Sequence, residues 1–262
     1  MDLGFRDKVT LVAASSKGLG RATAEQLAEE GARVMLSGRD EDGLRGAAEE
    51  ISGRTGGEVG FAAADVSRAS DVETLVQRTV ERFGALDSLV TNAGGPPAGG
   101  FEGFGDEEWQ GAFELNLMSV VRIVRAALPH LRQSAAPRVV NFTSSSIKQP
   151  IPNLLLSNVF RAAVLGLSKH LSAELAPDGI LVNTLGPGRI ATDRLFSLDA
   201  GAADRQGVPV EEVRSRSISN IPLGRYGEPE EFARVAAFLA SPANTYLTGQ
   251  AILVDGGMVR AL

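Results

Sequence analysis

Residues 9–40, "VTLVAASSKGLGRATAEQLAEEGARVMLSGRD", state the architecture in miniature. An apolar run, VTLVAA (9–14), gives way to a glycine-bearing turn, a helical pattern at about 18–30 and a second apolar run, RVMLSG (33–38). Two strands apolar on both faces, joined by a helix, make the repeating unit of a parallel sheet covered on each side. The alternation continues. Strand-like runs recur at 59–65, 87–92, 138–144, 180–186 and 251–257, and helical patterns at 40–52, 69–83, 106–132, 157–176 and 229–240. The chain therefore predicts a doubly wound α/β fold with a mainly parallel, seven-stranded sheet and helices on both faces.

The turn after the first run has its own chemistry. A glycine-rich loop opening a helix offers unpaired backbone N–H groups and the positive end of the helix dipole, which suits a pyrophosphate. Ser15, Ser16, Lys17, Gly18, Leu19 and Gly20 form that loop. Gly18 and Gly20 permit close backbone approach and tight helix–strand packing. At the tip of the second strand, a carboxylate suits a free ribose 2′-hydroxyl and a cation suits a 2′-phosphate. Here Arg39 occupies that tip and Lys17 the loop, a pair that favours NADP(H), although two ordinary surface charges would read alike. Asp40 reads as the cap of the next helix.

Bulk properties narrow the rest. The 262 residues carry a net charge of −6, which argues against a nucleic-acid partner, whose binding needs a basic face. There is no cysteine, and the two histidines, His130 and His170, have no metal-ligand spacing, so no metal site is expected. No window approaches the roughly 20 apolar residues of a membrane span, and no leader pattern opens the chain, so a cytoplasmic location without membrane contact is expected. One domain over 1–262 is the economical reading. Residues 193–221 break the alternation with a polar excursion, expected to hold one or two short helices and to act as a flap over a substrate pocket.

Several further motifs stand in order along nearly the whole chain: KGLG (17–20), ADV (64–66), NAGG (92–95), Asn116 in ELNLMSVV, NFTSS (141–145), PGRIAT (187–192), PLGRYGEPEEFA (222–233) and YLTGQAILVDGG (246–257). On these the sequence resembles the short-chain dehydrogenase/reductase family, including its 3-oxoacyl-carrier-protein reductases. The resemblance implies a Rossmann-type fold, an NADP(H)-dependent hydride transfer on a small-molecule substrate, and a homotetramer or homodimer. It also implies that Asp65 and Val66 contact the adenine, and that Asn92, Ala93 and Gly94 line the cleft. Pro187, Gly188, Ile190 and Thr192 would hold the nicotinamide amide. Asn116 falls in the apolar stripe marked by Trp109, Phe113, Val120 and Val124, where a buried amide must find partners. In the family that asparagine holds a water of the proton relay.

The family's fifth helix carries a catalytic tyrosine and, four residues on, a lysine, with a serine thirteen residues before the tyrosine. Ser144 matches the serine. The two helical positions hold Ser157 and Arg161 instead. Residues four apart share a helix face, so the hydroxyl and guanidinium converge. Arginine stays charged and is no proton donor, yet its fork can grip ribose hydroxyls and assist a developing alkoxide. Lys148, four residues after Ser144, is a candidate proton donor if burial and Arg161 lower its pKa. Gln149 is a weaker candidate for orienting substrate. Leu154, Leu155, Leu156 and Phe160 supply apolar walls or core. Tyr226 and Tyr246, the chain's two tyrosines, lie in segments that look structural. Ala13–Ala14 replaces the Thr-Gly with which family members usually open the glycine loop, so a shifted turn or a reduced cofactor affinity is expected. The alternative function is a noncatalytic NADP(H)-binding sensor or partner protein.

Overall fold

Every residue of VTLV, the first strand β1 (Val9–Val12), is buried, because helices cover both faces of the sheet. The computed structural model describes residues 2–261, and β1 lies inside its one large sheet. The other strands are β2 (Arg33–Gly38), β3 (Val59–Ala63), β4 (Ser88–Thr91), β5 (Arg138–Phe142), β6 (Leu181–Pro187) and β7 (Ala251–Val254). They run parallel in the order β3-β2-β1-β4-β5-β6-β7. The chain leaves β3 at one edge and re-enters beside β1 as β4. That reversal opens a crevice at the strands' carboxyl ends, where such sheets bind ligands.

Helices α1 (Gly18–Glu29), α2 (Glu41–Thr55) and α9 (Pro229–Ala240) cover one face, burying Leu27, Leu36, Ile51 and Phe232. Helices α3 (Ala69–Phe83), α5 (Ser119–Leu131) and α6 (Leu155–Glu174) cover the other, over Leu11, Leu75, Ile123 and Val164. Asp40 does cap α2, accepting from the Gly43 amide at 3.2 Å. None of the described helices is long and apolar enough to cross a membrane.

The apolar runs overshoot the strands. β1 stops at Val12, β3 at Ala63 and β7 at Val254, and the small residues beyond them enter the loops that shape the crevice. The pattern over 106–132, expected as one helix, divides into α4 (Asp106–Phe113), a π-helical turn Glu114–Met118 and α5. The wide turn rotates Asn116 fully inward, a distortion frequent at functional sites. The helix expected at 157–176 begins two residues earlier, and a 3₁₀ turn, Ala176–Asp178, follows it to Gly179. The excursion 193–221 contains two helices, α7 (Asp193–Gln206) and α8 (Val210–Ser219). Thr192 caps α7, and Gly207 ends it at φ +64°.

Candidate active site

The glycine loop is built from the inside out. Ser15 is fully buried; its amide donates to Ser37 O (2.8 Å), its hydroxyl donates to Val12 O (2.8 Å), and its Oγ accepts from the Ser37 amide (3.0 Å). Those bonds pin the loop to β2 and engage the Ser15 side chain within the protein. Leu19 likewise turns its side chain into the core. Ala14 sits at φ +48°, a left-handed conformation costing a non-glycine residue about 1–2 kcal/mol. Its carbonyl is held by the Asn92 amide, Nδ2 to O at 3.1 Å. Ala14 therefore adopts the left-handed backbone in spite of its methyl. Gly20 is obligatory: a Cβ there would lie 2.4 Å from Ala14 O, backbone against backbone.

At the start of α1, Lys17 takes the capping position without a side-chain hydrogen bond, so no side chain satisfies the first-turn amides. Across the crevice, the Thr192 methyl stands 3.9 Å from where a Gly18 side chain would begin, which brings the 187–192 segment opposite the glycine loop. Lys17 and Arg39 are exposed, and neither has a carboxylate within ion-pair distance among the described residues. Burial alone would raise the Asp65 carboxyl. Hydrogen bonds from Ser67 and the charges of Arg39 and Arg68 outweigh it and hold that carboxyl below the usual range. Val66 is buried beside it. Arg122 fastens this corner, donating to Ser67 O at 2.6 Å while pairing with Glu114 of the π-helical turn.

The middle of the crevice gathers residues from four elements. The Asn116 amide donates to Gly94 O (3.1 Å), while its Oδ1 is buried without a protein partner. Such an acceptor calls for a donor from outside the chain, since leaving it bare costs about 1–3 kcal/mol. Ser144 follows β5 at the edge of the crevice; its Oγ accepts from the Ser146 amide (3.1 Å), leaving the hydroxyl proton free to donate. Its carbonyl packs on Gly186, where a Cβ would come within 2.9 Å. Behind it, Thr91 donates to Asn141 (2.7 Å) and Asn141 to Ser168 (2.8 Å), a buried chain that fixes α6 to the sheet.

Two helical turns before Ser168, on the same face, stands Arg161. It is buried, and its guanidinium donates to Phe142 O (3.0 Å) and Ala93 O (3.2 Å), bridging the segments that follow β4 and end β5. This is not a surface cation. Burial, and secondarily the charge of Arg194, brings its pKa down to about 10, so it remains protonated at neutral pH. Ser157, one turn earlier, is half-buried and its hydroxyl has no partner among the described residues.

Lys148 requires a correction. It lies exposed after a short 3₁₀ turn, so the burial that was to make it a proton donor is missing. Gln149 is exposed too. Leu156 and Phe160 pack with Trp109 and Phe113 in a small apolar cluster and are core, not pocket wall. The Tyr226 hydroxyl donates to Asp199 (2.9 Å), which also accepts from Arg189 (2.9 Å), tying α7 to the chain on either side. Tyr246 is 96% exposed. A cavity of about 470 Å³ opens between the 151–153 turn and Arg205, Val213 and Arg216 of α7 and α8; neither Ser144 nor Arg161 lines it.

Residues 13–259 match the family described as enoyl-(acyl carrier protein) reductase. The 3-oxoacyl-(acyl-carrier-protein) reductase FabG of Chlamydia muridarum is 33% identical over 252 residues, 96% of this chain and 97% of that protein. The chain belongs to the short-chain dehydrogenase/reductase family. An L-sorbose reductase of this family from Gluconobacter frateurii, solved with NADPH and L-sorbose, superposes with a TM-score of 0.94 at 33% identity over 100% of both chains. The NADPH-bound short chain oxidoreductase from Pseudomonas aeruginosa, described as containing an atypical catalytic center, superposes at 0.90 with 33% identity over 99% of both. In this short-chain dehydrogenase/reductase the sequence reading missed Arg194. It stands two residues after the Thr192 cap, and its Nη2 reaches back 2.9 Å to Pro96 O. Nothing in the linear pattern links it to a loop 98 residues earlier.

Proposed function

We propose that the protein is an NADP(H)-dependent oxidoreductase that moves a hydride to or from a carbonyl- or alcohol-type small molecule through a proton relay without tyrosine. The observation that carries this reading is the uncapped start of α1 flanked by Lys17 and Arg39, two cations without carboxylate partners among the described residues. Those groups fit a nucleotide bearing a 2′-phosphate: the α1 amides take the pyrophosphate, Ser16, Lys17 and Arg39 the adenosine phosphate. Asp65 and Val66 would flank the adenine and Asn92, Ala93 and Gly94 the middle of the crevice. Pro187, Gly188, Ile190 and Thr192 would receive the nicotinamide end. The NADPH held by the Gluconobacter and Pseudomonas relatives supports the same assignment.

Bound there, NADPH supplies the hydride. The chain's own residues manage the charge and the proton. Ser144 donates its free hydroxyl proton to the substrate oxygen, and Arg161 presents a fixed positive charge to the alkoxide that develops. The Ser157 hydroxyl, unpartnered among the described residues, returns to Ser144 the proton that Ser144 gave the substrate oxygen, and a water held on the bare Oδ1 of Asn116 reprotonates Ser157 from solvent. Helices α7 and α8 act as the flap over the substrate. The second reading, a noncatalytic NADP(H)-binding sensor or partner protein, draws support from the same pair, since Arg161 spends two donors on main-chain carbonyls and no phenol is at hand.

A single-turnover assay distinguishes the two. Mixed with NADPH and a panel of ketones, imines and activated alkenes, the protein is expected to oxidise the cofactor with at least one class. Imines that arrive protonated need the relay least. NADPH binding without oxidation by any compound in the panel would favour the noncatalytic reading.

A further inference from the structure

Two arginines from different helices reach the same short loop. Arg161 reaches from α6 to Ala93 O at 3.2 Å, and Arg194, in the first turn of α7, reaches Pro96 O at 2.9 Å. Between them lies Gly95, and the Arg194 guanidinium packs close on it: Nη2 stands 2.7 Å from where a Gly95 side chain would begin. Every ion pair of the described residues lies elsewhere, so neither guanidinium has a carboxylate within 4.0 Å. An acidic protein thus places two cations, neither with a carboxylate partner among the described residues, on the loop 93–96 that borders the middle of its crevice. Arg161 is sealed behind the loop, whereas Arg194 is exposed on the side of the flap.

We propose, building on the oxidoreductase reading, that the substrate carries a carboxylate, bound by Arg194 with Arg161 reinforcing the field behind it. An oxo acid or imino acid meets this description. The planar guanidinium matches a carboxylate through two parallel hydrogen bonds, and a second cation behind the loop deepens the attraction in a partly dehydrated site. A neutral ketone leaves both charges unanswered. Arg194 acts here on specificity, not on the hydride or proton.

The test is calorimetric, so that it does not depend on turnover. Acetoacetate and methyl acetoacetate, which differ only in the ionised carboxyl, are titrated in chloride-free buffer into protein saturated with NADP⁺. The wild type is expected to bind the acid at least about tenfold more tightly than the ester, the size of one charge-assisted contact. Arg194→Gln is expected to erase most of that preference and Arg194→Lys to keep part of it. Equal affinities in the wild type, a preference that survives Arg194→Gln, or no binding of either probe would overturn the proposal. Complete loss in Arg194→Lys would place the effect in packing against residues 95–96 and overturn it as well. A separate titration with NADPH locates any failure: normal NADPH binding means the carboxylate assignment alone is wrong, and absent NADPH binding removes the oxidoreductase reading beneath it.

Discussion

Ser144→Ala is expected to slow hydride transfer by about 100- to 1,000-fold while NADPH affinity stays within about twofold. Ser144 owes its orientation to the Ser146 amide, which donates to its Oγ and directs the hydroxyl proton elsewhere. Removing the hydroxyl deletes a donor aimed at charge that exists only in the transition state, so the loss falls on the chemical step and not on binding. Stability should change little, because the residue is only half-buried and its single bond is local. Single-turnover rates and NADPH titrations on both proteins check this. A loss confined to NADPH affinity, or no loss at all, would take Ser144 out of the reaction.

The second large effect runs in the opposite direction. Ser157→Tyr should raise the rate of ketone reduction by about 100-fold, the lower end of what a positioned general acid contributes. A phenol, with pKa near about 10, gives up a proton far more readily than an alcohol. Arg161, charged and fixed four residues on, stabilises the phenolate that remains. The half-buried serine leaves its neighbours some freedom to admit the larger side chain. The pH profile should follow the rate: ketone reduction in the variant falls as pH climbs through the phenol's pKa, a limb the wild type lacks. A folded variant that binds NADPH yet gains neither rate nor limb would mean that position 157 does not face the reacting oxygen.

Most of the architecture could be read from the chain because both strand faces are buried. Runs such as VTLV and RVVNF (138–142) are then mostly apolar and buried at every position, and the glycine turn marks where the first helix begins. Strand ends were legible only to within two or three residues, since Ala13, Ala14 and Ala64 suit a strand or a tight loop equally well by size. Gly20 and the Asp40 cap were legible because backbone geometry leaves few residue types for those places. The π-helical turn was not. No residue within 114–118 announces it; the turn exists because Asn116 reaches Gly94 O from another element.

The same reason hides the polar centre. Lys148 looked central by its distance from Ser144 in the sequence, but a 3₁₀ turn carries it to the surface. Arg161 was identified by position, whereas its burial and its two carbonyl partners depend on a strand end and a loop 19 and 68 residues away. Arg194 depends on contacts across the whole crevice. Local sequence records propensity and spacing, and charge compensation is settled only when distant segments close around a group.

Titration calorimetry with NADPH, NADP⁺ and NADH at two temperatures tests the central claim most directly. The uncapped α1 terminus and the cations Lys17 and Arg39, unpaired among the described residues, predict one site per chain for both NADPH and NADP⁺, with NADH weaker by about tenfold or more for want of the 2′-phosphate. Absence of heat with all three nucleotides at both temperatures, or NADH bound as tightly as NADPH, would contradict the account.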